Sequence, residues 1–369
     1  MDKTKIIAAA RYVARLLVAL DGEESAPAMP EGVDARTVYS VAKRHSLASA
    51  VCYMVEDDVR ASGDEELLGR YVKERDIDYI KNMRQEREFG ALSAALEEKG
   101  IDFLPLKGFL FKALWRRPEY RSMSDMDIYV GEGGMAAASE VILSLGYKLD
   151  HATAAHDSFD KPPYSSIELH RSLEEGFDPE LSAYPLREGC SSWHIMSDED
   201  FLVYAIAHMF KHYKTGGSGM RSVFDIYLFL RAHEGELDAD YVRSRLTALG
   251  LVEYYDLVLR LIAVWFGGGE DPELDAFELY TVTGGTYGSV ENRVEYQMKG
   301  RSRISYIFSR IFLSYTQMKL IYPWLKYLPF LLPIAWVIRI FGALFNGRLK
   351  RELAATEAAE KKEKEGRDE

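Results

Sequence analysis

The sequence predicts an α+β protein: a small mixed sheet with helices, embedded in mostly helical N- and C-terminal regions. Three observations carry that expectation. Within residues 101–170, short apolar runs alternate with helical spacing in the order strand–helix–strand–helix–strand–strand. On both sides of that stretch apolar residues recur at three and four, the period of an amphipathic helix. Hydrophobic residues make up 47% of 369, enough for a packed core, which excludes global disorder.

The elements follow in order. Ile6, Ala10, Val13, Leu17 and Leu20 recur at helical spacing. Arg11 and Arg15 interrupt the apolar core that a signal peptide needs, so the segment reads as a helix and not a leader. Ser25–Gly32 holds two prolines and is a connecting loop, within a helical region over 1–98. Ile101–Leu106, after Gly100, is a strand, Lys107-Gly108 the turn beyond it, and Phe109–Trp115 a helix. Met126–Val130 is a second strand, Glu132-Gly133-Gly134 a turn, and Met135–Leu145 a helix ended by Gly146. Tyr147–Leu149 and Ser165–His170 are further strands, which makes 99–195 the core domain. Ser197-Asp198-Glu199-Asp200 offers an N-cap and first-turn acids to a helix continuing through Phe201–Tyr213. Gly216–Gly219 reads as a flexible loop and Ser222–His233 as a helix, in a helical domain over 196–300. A basic aromatic helical segment follows at 301–351, then a charged tail at 352–369, a solvated helix or disordered.

Cys52 and Cys190 are the only cysteines and form no CxxC pair. A disulfide framework and a cysteine zinc site are therefore not expected, and a reducing, cytoplasmic setting is. The net charge of −12 speaks against generic DNA binding. It resolves into −18 on residues 1–300, +9 on 301–351 and −3 on 352–369. The most apolar stretch, Tyr327–Ile338, runs twelve residues without charge, against the ~20 that a spanning helix needs. Tyr322, Trp324, Tyr327 and Trp336 are residue types found at membrane interfaces. Two readings of 301–351 stay open: reversible attachment to an anionic membrane surface, or a buried subdomain whose arginines meet acids of the body.

The motif that carries chemistry is Asp125-Met126-Asp127. On a strand, residues i and i+2 share a face, so the two carboxylates project together. Carboxylates held that closely repel unless a cation sits between them, and hard oxygen donors favour Mg²⁺ or Mn²⁺. Ser165–His170 supplies a third acid, Glu168, on the face opposite Ile167 and Leu169, with His170 beside it. Three carboxylates on adjacent strands can hold two divalent ions for phosphoryl transfer. Acid pairs at strand ends are also ordinary solvated surface, so the neighbours matter. Lys107 and Gly108 lie between strand and helix start, where backbone N–H groups favour phosphate, and Arg121 precedes the acids. His208 and His212 lie four apart on one helical face, but the Glu of HExxH is missing, so a structural or substrate-side role outranks zinc. Arg221 and Asp225, also four apart, form either a helical ion pair or part of a cleft. Ser40-Val41-Ala42-Lys43 matches SxxK but lacks its companion motifs.

Leu104-Pro105-Leu106-Lys107-Gly108, then Arg121 through Val130 (RSMSDMDIYV), then Ile167–His170 (IELH) resemble the uncharacterised nucleotidyltransferases of the DNA polymerase β superfamily. The resemblance runs on through MSDEDFLVYAIAHMFKHYKTGGSGMRSVFDIYLFL and IYPWLKYLPFLLPIAWVIRIF, over roughly residues 85–345. It implies a polymerase-β-like core and transfer of a nucleoside monophosphate from an NTP, with release of pyrophosphate. It implies Asp125 and Asp127 as ligands of two metal ions, and Glu168 as the third acid, which helps activate the nucleophile. Lys107 and Arg121, with Gly108 beside the lysine, would hold the nucleotide's phosphates or stabilise the acid cluster. From the residues themselves, His170 is either a site residue or the partner of a neighbouring carboxylate, and it joins His208, His212, Arg221 and Asp225 as candidate cleft residues. Lys107-Gly108 stands where the superfamily more often has Gly-Ser, and Glu168 where it more often has Asp. The acceptor, whether sugar, small molecule, protein or RNA, is not legible. Two alternatives stand beside it: a non-catalytic scaffold of the same fold, and a DxD sugar-nucleotide glycosyltransferase, which needs more strands upstream of the acids than the sequence shows.

Overall fold

The computed structural model describes residues 3–174, 177, 180–299, 301–345 and 352–360. Contacts divide the chain into two units, Met1–Phe210 with Gly219–Thr286, and Lys211–Ser218 with Tyr287–Glu369.

The first unit begins with four helices: α1 (Lys3–Asp21), α2 (Ala35–Arg44), α3 (Ala48–Ala61) and α4 (Glu65–Glu98). The apolar stripe of α1 is buried at Ala10, Val13, Leu17 and Leu20, against α2 and α3. Asp34 caps α2 by accepting from the Thr37 N–H at 2.8 Å, and Asp64 caps α4 through the Leu67 N–H. The sheet follows, as β1 (Leu104–Pro105), α5 (Gly108–Lys112), β2 (Met126–Tyr129), α6 (Gly131–Ser144), β3 (Lys148–Ala152), β4 (His156–Lys161) and β5 (Ser165–His170). The remaining helices of this unit are α7 (Asp198–Lys214, whose last residues belong to the second unit), α8 (Gly219–Ala232), α9 (Ala239–Ala248), α10 (Val252–Phe266) and α11 (Asp275–Gly284).

The strand order is β1-β2-β5-β4-β3. β2 and β5 run parallel, with Asp127 opposite Glu168 and Tyr129 opposite His170, and the other pairings are antiparallel. Met126 and Ile128 of β2, Val130 just beyond it, and Ile167 and Leu169 of β5 are buried with Leu92 and Leu96 of α4 and Ala138 and Ile142 of α6. One face of the sheet is thereby filled by two helices, and the period of two leaves Asp127, Glu168 and His170 on the other.

The structure departs from the expected elements in four places. β4 was not expected: HDSFDK carries a single large apolar residue, Phe159, and no alternation, yet it pairs on both edges. β1 is two residues long, preceded by a bridge from Phe103 to Trp193, because the chain turns at Lys107 immediately after it. The expected turn at Glu132-Gly133-Gly134 is instead the first turn of α6. A Cβ on Gly134 would come within 2.9 Å of the Val130 Cβ, so glycine there lets the first turn of α6 close over the residue that caps it. The helix after Lys107 ends at Lys112, short of Trp115.

The second unit contains α12 (Val290–Met298), α13 (Arg303–Ile311), α14 (Tyr315–Ile321) and α15 (Leu332–Phe345). Residues 352–360 are helical. Glu352 accepts from Arg310 at 2.8 Å and Glu357 from Arg303 at 2.8 Å, so part of the positive charge of 301–351 is met by the acids that follow it. The stretches 346–351 and 361–369, the ends of the expected basic segment and charged tail, lie outside the described residues. Among the described residues no helix is long and apolar enough to cross a membrane.

Candidate active site

The bond between β2 and β5 brings the acids together. Asp127 is 2% exposed and accepts from His170 Nε2 at 2.9 Å. His170 Nε2 lies 3.6 Å from Glu168 Oε2, and one ligand atom each of Asp127, Glu168 and His170 lie within 4.8 Å of one another. Asp125, one alternation before Asp127, stands outside that tightest set, but it feels the Asp127 charge and its own acts on Glu168.

Burial raises the Asp125 carboxyl above the ordinary range and the Asp127 charge adds to the rise, while Lys107 and Arg221 oppose it. Burial would also raise Asp127, but Lys107 and the hydrogen bond from His170 outweigh it and hold that carboxyl low. Glu168 is pushed up to about 7, by burial first and then by Asp125 and Asp127. One acid is thus firmly ionised, and two more beside it resist ionisation. Crowding of the three carboxyls, with Lys107 and His170 favouring the charge on Asp127, accounts for this division.

Lys107 approaches from the β1–α5 turn. Its Nζ lies 3.5 Å from Asp127 Oδ1 and donates to His208 Nε2 at 3.0 Å. His208 Nδ1 in turn donates to Glu174 Oε1 at 2.9 Å, which leaves Nε2 as the acceptor for the lysine. The row Glu174–His208–Lys107–Asp127 therefore fixes the ammonium beside the acids. Gly108 lets the turn come close: a Cβ there would stand 2.6 Å from Met123 Sδ. α5 has only five residues, so the helix dipole expected to favour phosphate is small.

Two expectations differ from what the structure brings together. Arg121 does not face the acids with a free guanidinium. Its Nε and Nη2 donate to Asp225 at 2.8 and 2.7 Å, both partners are buried, and Trp115 Nε1 donates to the same carboxylate at 2.8 Å. Asp225 consequently does not pair with Arg221, whose Nη1 donates to the Ser122 carbonyl. His212 lies one turn beyond His208 on α7, in the second unit, where its carbonyl accepts from the Thr215 and Gly217 N–H groups.

Sequence reasoning passed over Glu174 and His156. His156 Nε2 lies 3.9 Å from Glu168 Oε2 and its ring is 5.2 Å from that of His170. Its signal was hidden with that of β4. Glu174 carries none, because its partner is 34 residues away.

The fold is α+β, with a five-stranded mixed sheet whose parallel central pair presents acids on one face and packs against two helices on the other. Residues 31–267 match the family of uncharacterised nucleotidyltransferases, and the chain belongs to that family. No curated protein matches it. Among solved structures, the antibiotic-resistance factor ANT(2'')-Ia is similar at 13% identity and a TM-score of 0.36, over 48% of this chain and 96% of that one.

Proposed function

We propose that the protein transfers a nucleoside monophosphate from an NTP to a hydroxyl or phosphate of an acceptor and releases pyrophosphate, with divalent metal. The observation that carries this reading, beside family membership, is the cluster of Asp127, Glu168 and His170, with Asp125 next to it. Its donors are mostly hard oxygens, and the raised Asp125 and Glu168 carboxyls fit a cation; Asp125, Asp127 and Glu168 would hold Mg²⁺ or Mn²⁺, as two ions in this reading. When bound, the metal supplies charge neutralisation for the triphosphate and acidifies the acceptor.

The chain's own groups do the rest. Lys107 offers a positive charge and Gly108 an approachable backbone to the phosphates. His170 holds the Asp127 carboxylate in one orientation through its 2.9 Å bond. Glu168, on the same face as Asp127 and ionised once cations offset the neighbouring acids, would help take the acceptor's proton as the acceptor oxygen bonds to the α-phosphorus and the bond to pyrophosphate breaks. Arg121 and Asp225 position the loop that leads into β2 rather than touch phosphate.

The test is binding of each labelled NTP with and without Mg²⁺, followed by incubation with lysate to see what is labelled. Wild-type protein binds an NTP in a Mg²⁺-dependent way. Asp127→Asn weakens that binding by more than the ~100-fold typical of losing an outer-sphere partner. Unchanged binding in that variant removes the reading in favour of a scaffold with the same fold.

A further inference from the structure

The second unit carries an apolar surface that its own core leaves uncovered. Ile304 and Phe308 on α13 and Phe312 just past its end follow one another at four-residue spacing, the first two 75% and 61% exposed. On α15, Ile334, Val337, Ile338 and Phe341 lie at positions 0, 3, 4 and 7 of one face, all exposed. These are the spacings with which a helix ordinarily buries one stripe. The two helices are neighbours: the Phe312 and Trp336 rings meet edge-on at 5.1 Å, and Arg339 donates to the Arg310 carbonyl. The turn between α14 and α15 adds Tyr327 and Phe330, 79% and 73% exposed. Exposed apolar residues grouped in this way, rather than scattered singly, mark interaction or membrane surfaces.

Charge says what covers it. Residues 301–351 contain nine Lys or Arg and no acid. Lys326 is exposed and Lys319 half-buried beside the Tyr315 ring. Lys299 and Arg301 line an open cavity of about 390 Å³ together with Tyr296 and with Ser309, the neighbour of Phe308. Lysine is depleted from the centres of protein–protein interfaces, whereas lysine and arginine beside exposed aromatics are what the headgroup region of an anionic bilayer favours. α15, with 14 residues, is too short for the ~30 Å hydrocarbon core, so contact is along the surface.

We propose that the second unit binds the surface of anionic phospholipid bilayers. The stripes of α13 and α15 enter the acyl boundary, and Lys299, Arg301, Lys319 and Lys326 lie at the level of the lipid phosphates. Flotation of the full chain with phosphatidylcholine vesicles, with and without about one-third phosphatidylserine, tests this. The protein floats with the anionic vesicles and not the neutral ones, and added salt releases it. Phe308→Ser with Phe341→Ser reduces flotation by more than about tenfold, with thermal unfolding unchanged. Lys319→Gln with Lys326→Gln reduces it by about fivefold per cation, and this pair, with the salt titration of wild type, carries the test should the phenylalanine variant fail to fold. Absence of wild-type flotation with anionic vesicles overturns the proposal. So does a stable dimer in solution that the phenylalanine variant dissolves while neither protein floats, since a second copy would then cover the stripes.

Discussion

Asp225 acquires its role from partners more than a hundred positions earlier in the chain. Spaced four from Arg221, it reads as half of a helical pair, yet Arg121 and Trp115 claim it. A buried bidentate pair costs desolvation on both sides, and its value shows when one partner goes. Arg121→Met leaves the Asp225 charge buried with only the indole N–H, and is expected to lower unfolding free energy by ~3–5 kcal/mol. Urea unfolding checks it; a loss below ~1 kcal/mol would mean that solvent reaches the carboxylate. The acids of the site, by contrast, were legible one by one. Asp125, Asp127, Glu168 and His170 follow from strand alternation, which is a property of two residues and needs no tertiary partner.

Elements differ in how much local signal they carry. α1, α7 and α8 have apolar stripes or acidic first turns and were readable. β4 was not, because both its faces are largely polar and its stability comes from being paired on two edges. α2 shows a local signal with a measurable value. The Asp34 carboxylate accepts from the Thr37 N–H and pairs with Lys5, and its pKa falls to about 2, the Lys5 bond first and the Thr37 N–H second. Asp34→Ala is expected to cost about 1 kcal/mol, the usual value of an N-cap. Because the folded pKa is lowered, the contribution is present above the unfolded value of 3.8 and is lost as pH falls toward 2. Thermal unfolding of both proteins should differ at neutral pH and converge at the acid end.

At the scale of the molecule, the first unit is tied together by a histidine that composition cannot single out. His45, at the end of α2, is fully buried; its Nε2 donates to the Val282 carbonyl on α11 and its Nδ1 accepts from the Met220 N–H on α8, both at 3.0 Å. That pattern requires the neutral ring. Burial lowers its pKa from 6.5 to about 3. The unfolded chain therefore takes up a proton that the folded one refuses, and stability falls as pH drops from about 6.5 toward 3, by up to ~1.4 kcal/mol per unit. His45→Gln should weaken the protein at neutral pH and flatten this acid slope. Equal slopes in the two proteins between pH values near 7 and 4 would refute it.

The net charge of −12 shows what the sequence alone could determine. The split between an acidic body and a basic aromatic segment, the α+β class, the alternation that aligns the acids and the amphipathic helices are all local regularities, because helix and strand periods repeat within a few residues. Tertiary structure decided which strands are neighbours, and so that Asp127 faces Glu168. It decided that His208 joins Lys107 to Glu174, that Arg121 belongs to Asp225, and that the stripes of α13 and α15 point outward. Each of those depends on groups separated by tens to hundreds of residues, or on what a helix finds beside it. A period fixes the direction of a side chain relative to its own element; only packing chooses what it meets.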